Sequence, residues 1–293
     1  MIRKVAFAGA LVLLLVVAAC SSRFQTRMGD LVRGDFRSLA PAQEETRERL
    51  FVASYNIRYG EKIEQAIEDL RRDPRLARAD VLLLQEMDPA GVERIARALG
   101  LSFVYYPATI HPHHHRLFGN AILARGTIER PRFLRLPQQE ALAGTNRIAV
   151  VAEVTTAAGR IRAVSVHSST PALPLRERLR QAATVLDSLA ALGGPIVIGG
   201  DFNTASRDDT LRVLRLFRGA GFRDALAGRG GTSRSRWLTL PGTVAQLDHL
   251  FYRGLVLDDA GVSRAATASD HFPVWSVFRN PAAEVRTPEE VRE

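Results

Sequence analysis

The stretch Pro195-Ile196-Val197-Ile198-Gly199-Gly200-Asp201-Phe202-Asn203-Thr204 reads as a buried strand that runs into a polar turn. Its β-branched run fits a strand covered on both faces. Two glycines then let the backbone turn where a Cβ would obstruct it. Asp201 and Asn203 follow, and side chains so spaced leave a strand end toward one side. One is a charged acceptor and the other carries both a donor and an acceptor, so the two can reach one small group. Taken alone, the pair suits an Asx-type turn before the next helix equally well. The other strand ends decide between these readings.

Upstream, Leu50 to Ile57 reads as a strand with Asn56 near its end, and Asp80 to Glu86 as a second buried strand that closes on an acid. Between them Ile63, Ala66, Ile67 and Leu70 recur at helical spacing. Asp88-Pro89 is a helix start, with Val92, Ile95, Ala96 and Leu99 as the buried face. Leu101 to Tyr106, Phe118 to Ala124 and Arg132 to Leu136 are further strands. Arg147 to Val154 and Arg160 to His167 flank Ala157-Ala158-Gly159 as a hairpin whose second arm ends on His167. Leu175 to Leu189 makes a long helix before the central strand, and Leu211, Leu214 and Phe217 mark another after it. The run from Gly228 to Arg234 reads as a mobile loop. Leu247 to Tyr252 is a strand containing Asp248, and Asp270-His271 immediately precedes the last strand.

The polar groups at strand ends are therefore Asn56, Glu86, His167, Asp201, Asn203, Asp248, Asp270 and His271. Contributed by separate strands in a chain that alternates strand and helix, they point to one shared cleft outside the strand ends. His111, His113, His114 and His115 sit in a loop beside it. Adjacent residues do not all converge on one ion and no acid or cysteine is near in sequence, so a solvated loop is expected there rather than a metal site.

A chain of 293 residues allows one large domain or two small ones, and its 46% hydrophobic content supports a sizeable core. The net charge is +9, and its cations are nearly all arginine, with Lys4 and Lys62 the exceptions. A basic surface suits phosphate-bearing partners or anionic lipid. Cys20 is the single cysteine, so no internal disulfide supports the fold. Arg3 and Lys4 precede an apolar run from Val5 to Ala19 that is short for a membrane span and has the pattern of an export signal. Val17-Ala18-Ala19-Cys20-Ser21 resembles the lipobox of bacterial lipoproteins, which makes Cys20 the expected lipidation site. The resulting layout is a signal peptide over residues 1–19, a tether over 20–48, a domain over 49–279 and a charged tail over 280–293. The expected location is the bacterial cell envelope, with the outer membrane favoured by Ser21.

Ser-Tyr-Asn56-Ile-Arg, Leu-Leu-Gln-Glu86, Gly119-Asn120-Ala121-Ile122-Leu123, Gly200-Asp201-Phe202-Asn203, Leu247-Asp248-His249 and Ser269-Asp270-His271 together resemble the endonuclease/exonuclease/phosphatase superfamily. The resemblance spans residues 50 to 279 in the family's order and implies an α/β (α+β) fold: a four-layer sandwich of two packed mixed β-sheets flanked by helices, in one domain. It implies Mg²⁺, with Mn²⁺ second, held by Glu86 with Asn56 beside it and Asp270 on a second position. Oxygen ligands without thiolates suit such hard ions. It further implies His271 as base paired with Asp248, and Asn203 and His167 on the developing pentavalent phosphate. Asp201 either orients the attacking water or protonates the leaving oxygen. Arg147 and Asn120 are the expected substrate contacts. Ser168-Ser169 after His167 departs from the leucine common there, and no lysine-rich or aromatic insertion suited to duplex DNA is present. The expected activity is a metal-dependent phosphoesterase, monomeric, acting on nucleic acid or on a phospholipid or sphingolipid headgroup. The alternative is an inactive envelope lipoprotein that binds phosphate-bearing ligands.

Overall fold

The computed structural model describes residues 29–39, 48–111, 114–138, 145–234 and 246–281. In chain order the elements are β1 Val32–Asp35, β2 Arg49–Asn56, α1 Ile63–Arg72, α2 Pro74–Ala77, β3 Val81–Met87, α3 Pro89–Leu99, β4 Ser102–Ile110, β5 Leu117–Ala124 and β6 Thr127–Arg135. They continue with β7 Ile148–Thr156, β8 Gly159–His167, α4 Leu175–Leu189, β9 Ile196–Asp201, α5 Arg207–Gly219, β10 Arg223–Asp224, β11 Asp248–Arg253, β12 Val256–Val262 and β13 Val274–Arg279. Local chemistry sets several boundaries. Asp88 caps α3 by accepting from Gly91 N at 2.6 Å, with Pro89 in the first turn where a missing N–H costs nothing. Ser206 caps α5 in the same way through Asp209 N.

Two mixed sheets pack face to face. One has the order β1-β4-β5-β3-β2-β13-β12 and the other β10-β11-β9-β8-β7-β6. Leu50, Val52, Leu83, Ile122, Val150, Ala163, Val197 and Leu250 fill the space between them. The outer face of the first sheet buries Tyr55, Leu82 and Leu123 against Ile67 and Leu70 of α1 and Val92 and Ile95 of α3. That of the second buries Val164, Ile198 and Phe251 against Val185 and Leu189 of α4 and Phe217 of α5. Helix, sheet, sheet and helix make four layers in a single domain, as the sequence resemblance implies. Among the described residues no helix is long and apolar enough to cross a membrane.

The structure corrects three expectations about extent. Val32–Asp35, placed in the tether, forms β1 and pairs antiparallel with β4, Gly34 opposite Phe103. A Cβ on Gly34 would lie 2.6 Å from the Phe103 ring, so glycine is what lets the strand close on that edge. Phe36 then stacks on Phe103 and lies under the Arg97 guanidinium. Asn280, placed in the tail, is buried and donates to Ala158 O. The run from Gly228 to Arg234 is irregular but pinned, with Thr232 and Ser233 buried. β12 was not expected, because an edge strand that reads Val-Leu-Asp-Asp-Ala-Gly-Val and is half solvated lacks the apolar run that marks a buried one. The export signal and Cys20 lie outside the described residues.

Candidate active site

The register of the second sheet puts three of the expected polar residues on one rung. His167 of β8 pairs with Asp201 of β9, and Asp201 pairs with Asp248 of β11. All three are buried. Gly200 makes the approach possible: its φ is +147°, and a Cβ there would sit 1.9 Å from the Val166 carbonyl oxygen. Asp201 Oδ1 accepts from Asn203 N at 2.8 Å, the Asx-type turn foreseen from the sequence. That turn leaves Oδ2 facing the cleft.

The first sheet supplies the opposite wall. Glu86 lies at a bulge where the β3–β5 register shifts between Leu84 and Met87, and its φ is +60°. Bulges re-aim side chains in this way, and here the carboxylate turns into the cleft. Asn56 Nδ2 bridges the sheets, donating to Glu86 Oε1 at 3.1 Å and to Asp201 Oδ2 at 3.0 Å. Tyr59 N donates to Glu86 Oε2 and Arg58 N to Asn56 Oδ1. Positive φ angles at Arg58, Tyr59 and Gly60 aim these two amides. Strain of this kind persists only where the surroundings impose it.

His271 is fixed from behind. Its Nδ1 lies 2.9 Å from Asp248 Oδ2, while Nε2 lies 3.7 Å from Asp201 Oδ2. Asp248 is placed by Thr232, whose hydroxyl accepts from both Leu247 N and Asp248 N and whose carbonyl accepts from Phe272 N. Asn203, at φ +52°, donates from Nδ2 to Ser168 O, and its own carbonyl accepts from the buried Arg178. Arg178 is neutralised by Asp209 at 2.9 Å. Gln181 holds the Ser168-Ser169 loop, accepting from Ser169 N and donating to Ser169 Oγ. Beneath the cleft, Gln85 donates to Ser165 Oγ, which donates to Leu84 O, so the two sheets are stitched by buried polar groups.

Electrostatics follow from burial and crowding. Burial, aided by Asp248 and Glu86 and opposed by His271, pushes Asp201 up to about 7. Burial works against the charge on His271, but Asp248 and Asp201 outweigh it and push that imidazole up to about 10. Burial raises Glu86, partly offset by Arg147 and by the Asn56 hydrogen bond. Burial and the neighbouring Arg147 hold His167 well below the usual imidazole range, so it is neutral.

Arg147, expected at the substrate, lies in the cleft wall with Nη1 3.0 Å from the His167 ring and the guanidinium over Phe118. Three expectations are altered. Asn56, placed on the metal, turns its N–H groups to the carboxylates and its oxygen to Arg58 N, so as oriented it orders the ligands rather than joining them. Asn120, placed at the substrate, is buried between the sheets, its amide nitrogen donating to Ile148 O and Ser165 O. Asp270 stands half-buried on the rim beside Arg58 and Lys62, outside the metal-sized clusters found among the described residues. The histidine loop is also less solvated than expected. Tyr59 packs against His111 and His114 with ring centroids 4.5 and 4.4 Å apart, and Glu61 comes within 3.9 Å of His114. Residues 112–113 lie outside the described set.

A divalent ion fits this donor set. Glu86, His167 and Asp201 each offer a ligand atom, and these atoms lie within 4.8 Å of one another. His167 lies 3.6 Å from Glu86 and 3.7 Å from Asp201, and His271 lies 3.7 Å from Asp201, so the two carboxylates share one space with the two imidazoles. The two carboxylates supply oxygen donors and no thiolate is present, so a hard ion held mainly by them would relieve the burial cost on both acids, with the His167 nitrogen as the third donor within reach.

Comparisons with known proteins converge on one family. Residues 53–271 match the sequence profile described as the Endonuclease/Exonuclease/phosphatase family. The UPF0294 protein YE0917 of Yersinia enterocolitica is 30% identical over 145 residues, which is 49% of this chain and 53% of that one. The chain thus spans about half the length of that relative. The crystal structure of an endonuclease/exonuclease/phosphatase from Beutenbergia cavernae superposes with a TM-score of 0.66 at 20% identity, over 80% of this chain and 72% of that one. D. rerio TDP2, complexed with a single-strand DNA product, superposes with a TM-score of 0.62 at 18% identity, over 80% and 100%.

Proposed function

The chain belongs to the endonuclease/exonuclease/phosphatase family, and from that premise we propose that it is an exported phosphoesterase that uses Mg²⁺, or Mn²⁺ second. In this reading residues 1–19 are a signal peptide and Cys20 carries the lipid that holds the enzyme at the bacterial cell envelope. The observation that carries the reaction is the single cleft formed by Glu86, Asp201, His167 and the Asp248–His271 pair.

Glu86 is the main metal ligand in this proposal, with Asp201 facing the same point and Asp270 on the rim. When bound, the ion neutralises charge on the phosphate and stabilises the leaving oxygen. The chain's own groups do the rest. Arg147 and the neutral His167 face the non-bridging oxygens, where hydrogen bonds strengthen as charge builds in the transition state. Water attacks phosphorus, the bond from phosphorus to the leaving oxygen breaks, and the water proton passes to the Asp201–His271 pair. Asp248 fixes the His271 ring so that Nε2 faces Asp201 and holds its charge, which leaves the Asp201 carboxylate as the member of the pair that takes the proton. Asn203 and Arg178 hold the turn that carries Asp201.

The substrate is a phosphate ester of nucleic acid or of a lipid headgroup. Tethering at an envelope favours extracellular polymer or lipid, and TDP2 with a DNA product supports the first of these. Hydrolysis of bis-p-nitrophenyl phosphate tests the proposal. Turnover should require Mg²⁺ or Mn²⁺, stop in EDTA, and fall by at least about 100-fold in Glu86→Ala and His271→Ala. A folded wild-type chain that binds phosphate esters but turns none over with either ion would leave the inactive lipoprotein reading in its place.

A further inference from the structure

A second aspartate–histidine pair stands behind the first, on the far side of the same sheet. Successive side chains of a strand leave opposite faces. Asp248 points to His271 in the cleft, so His249 points the other way, onto the face that Phe217 of α5 covers. There Phe251 stacks on the His249 ring at 5.2 Å and Phe202 meets it edge-on at 5.7 Å. His249 Nδ1 lies 3.2 Å from Asp224 Oδ2, and Nε2 lies 3.0 Å from Thr204 Oγ1. Gln246 closes the group: its amide nitrogen donates to Asp224 Oδ2 at 3.1 Å, and its backbone carbonyl accepts from the Thr204 hydroxyl. Leu226 N donates to the other Asp224 oxygen. The side chains of Thr204, His249 and Asp224 are all buried.

None of these three groups has a part in the reaction proposed above. A phenyl ring would fill the space among Phe202, Phe217 and Phe251 without asking for hydrogen bonds, whereas a buried imidazole costs stability unless its nitrogens are satisfied. What the imidazole holds accounts for it. Thr204 directly follows Asn203, which stands at φ +52°, and Gly200 at φ +147° opens the same turn. Backbone in such regions persists only where its neighbours over-determine it. Leu247 O holds Phe202 N, and Arg178 holds Asn203 O. The Thr204 hydroxyl ties the far end of the turn to His249 and Gln246.

We propose that Asp224, His249 and Thr204 are positioning residues. They form a buried hydrogen-bonded brace that keeps the turn from Gly200 to Thr204 in its strained shape, with Asp201 Oδ2 aimed at the cleft. The proposal rests on the phosphoesterase reading for the reaction that the brace serves. The catalytic turn is thereby held from both faces of the sheet, by His271 in front and by His249 behind.

Two measurements read the brace: kinetics on bis-p-nitrophenyl phosphate with Mg²⁺, and Mn²⁺ affinity by electron paramagnetic resonance, both at a temperature where every variant is folded. Thr204→Val keeps the shape and removes the hydroxyl. It should lower kcat about tenfold, leave KM within about twofold, and weaken Mn²⁺ by about threefold or more. Thr204→Ser should restore both values. His249→Gln, whose amide can still reach Thr204, should keep more of kcat than His249→Asn, which reaches only Asp224. Should Thr204→Val fail to fold, the two His249 variants make the same comparison. A merely structural role would lower the urea midpoint and leave kcat and Mn²⁺ affinity at wild-type values. That result would overturn the brace and leave the enzyme reading intact. A wild type that turns over no ester, yet binds Mn²⁺ more tightly than Thr204→Val and as tightly as Thr204→Ser, would keep the brace and remove the enzyme reading. A wild type that neither binds Mn²⁺ nor turns over ester would remove both.

Discussion

Gly200 shows how much one hydrogen atom in place of a methyl can decide. Its backbone stands at φ +147° against the Val166 carbonyl, and Asp201 follows directly. Gly200→Ala should cost about 3 kcal/mol or more, from strain and steric conflict together. It should also reduce turnover, since the rung linking His167, Asp201 and Asp248 must shift. Urea denaturation reads the first effect, with Gly193→Ala as a control, since nothing lies within 4 Å of a Cβ there. An unchanged midpoint in Gly200→Ala would contradict the geometry. The residues that bear charge were legible from strand-end position alone. Those that hold them were not. Thr232, Arg178, Gln181 and Gln85 are ordinary in sequence, and their roles come from partners 12 to 80 positions away.

At the level of elements, the apolar strands and amphipathic helices announced themselves, because each buries a run or a face with its own period. β1 and β12 did not, since edge strands are half solvated and their pairing energy comes from a neighbour the sequence does not name. Gly34→Val tests the role of β1. A branched side chain would meet the Phe103 ring and lift the strand from β4. The expected result is a loss of about 1–3 kcal/mol with kcat/KM retained, because β1 is separated from β3 by two strands. Stability equal to wild type would mean that the strand is not held at this edge. Asn120 illustrates the same limit from the other side. Its motif stood out, yet its amide is spent joining the sheets.

Across the whole molecule, two sheets bring separate acids into one buried space, and that has a linkage consequence. In EDTA, folded Asp201 is pushed up to about 7, whereas an unfolded aspartate titrates near 4. Between those values the folded chain binds the extra proton, so this site's contribution to stability falls as pH rises. Glu86, also raised by burial, acts in the same direction. The metal-free wild type should therefore lose more stability from pH 5 to pH 7.5 than Asp201→Asn does, read as the change in urea midpoint. Mg²⁺ should reverse the loss, adding about 2.7 kcal/mol at a hundred times its Kd. Identical pH slopes in the two proteins would show that the acids are not buried together.

What the sequence by itself determined was the material: which buried segments are strands or helices, and which strand ends carry an acid, an imidazole or an amide. These depend on periodicity and on residues close in the chain. Only the tertiary structure decided that Glu86 turns at a bulge, that Asn56 presents its N–H groups to two carboxylates, and that Asp248 backs His271 across the cleft from them. Those facts depend on register and on the packing of one sheet against the other, which are fixed by contacts between segments far apart along the chain.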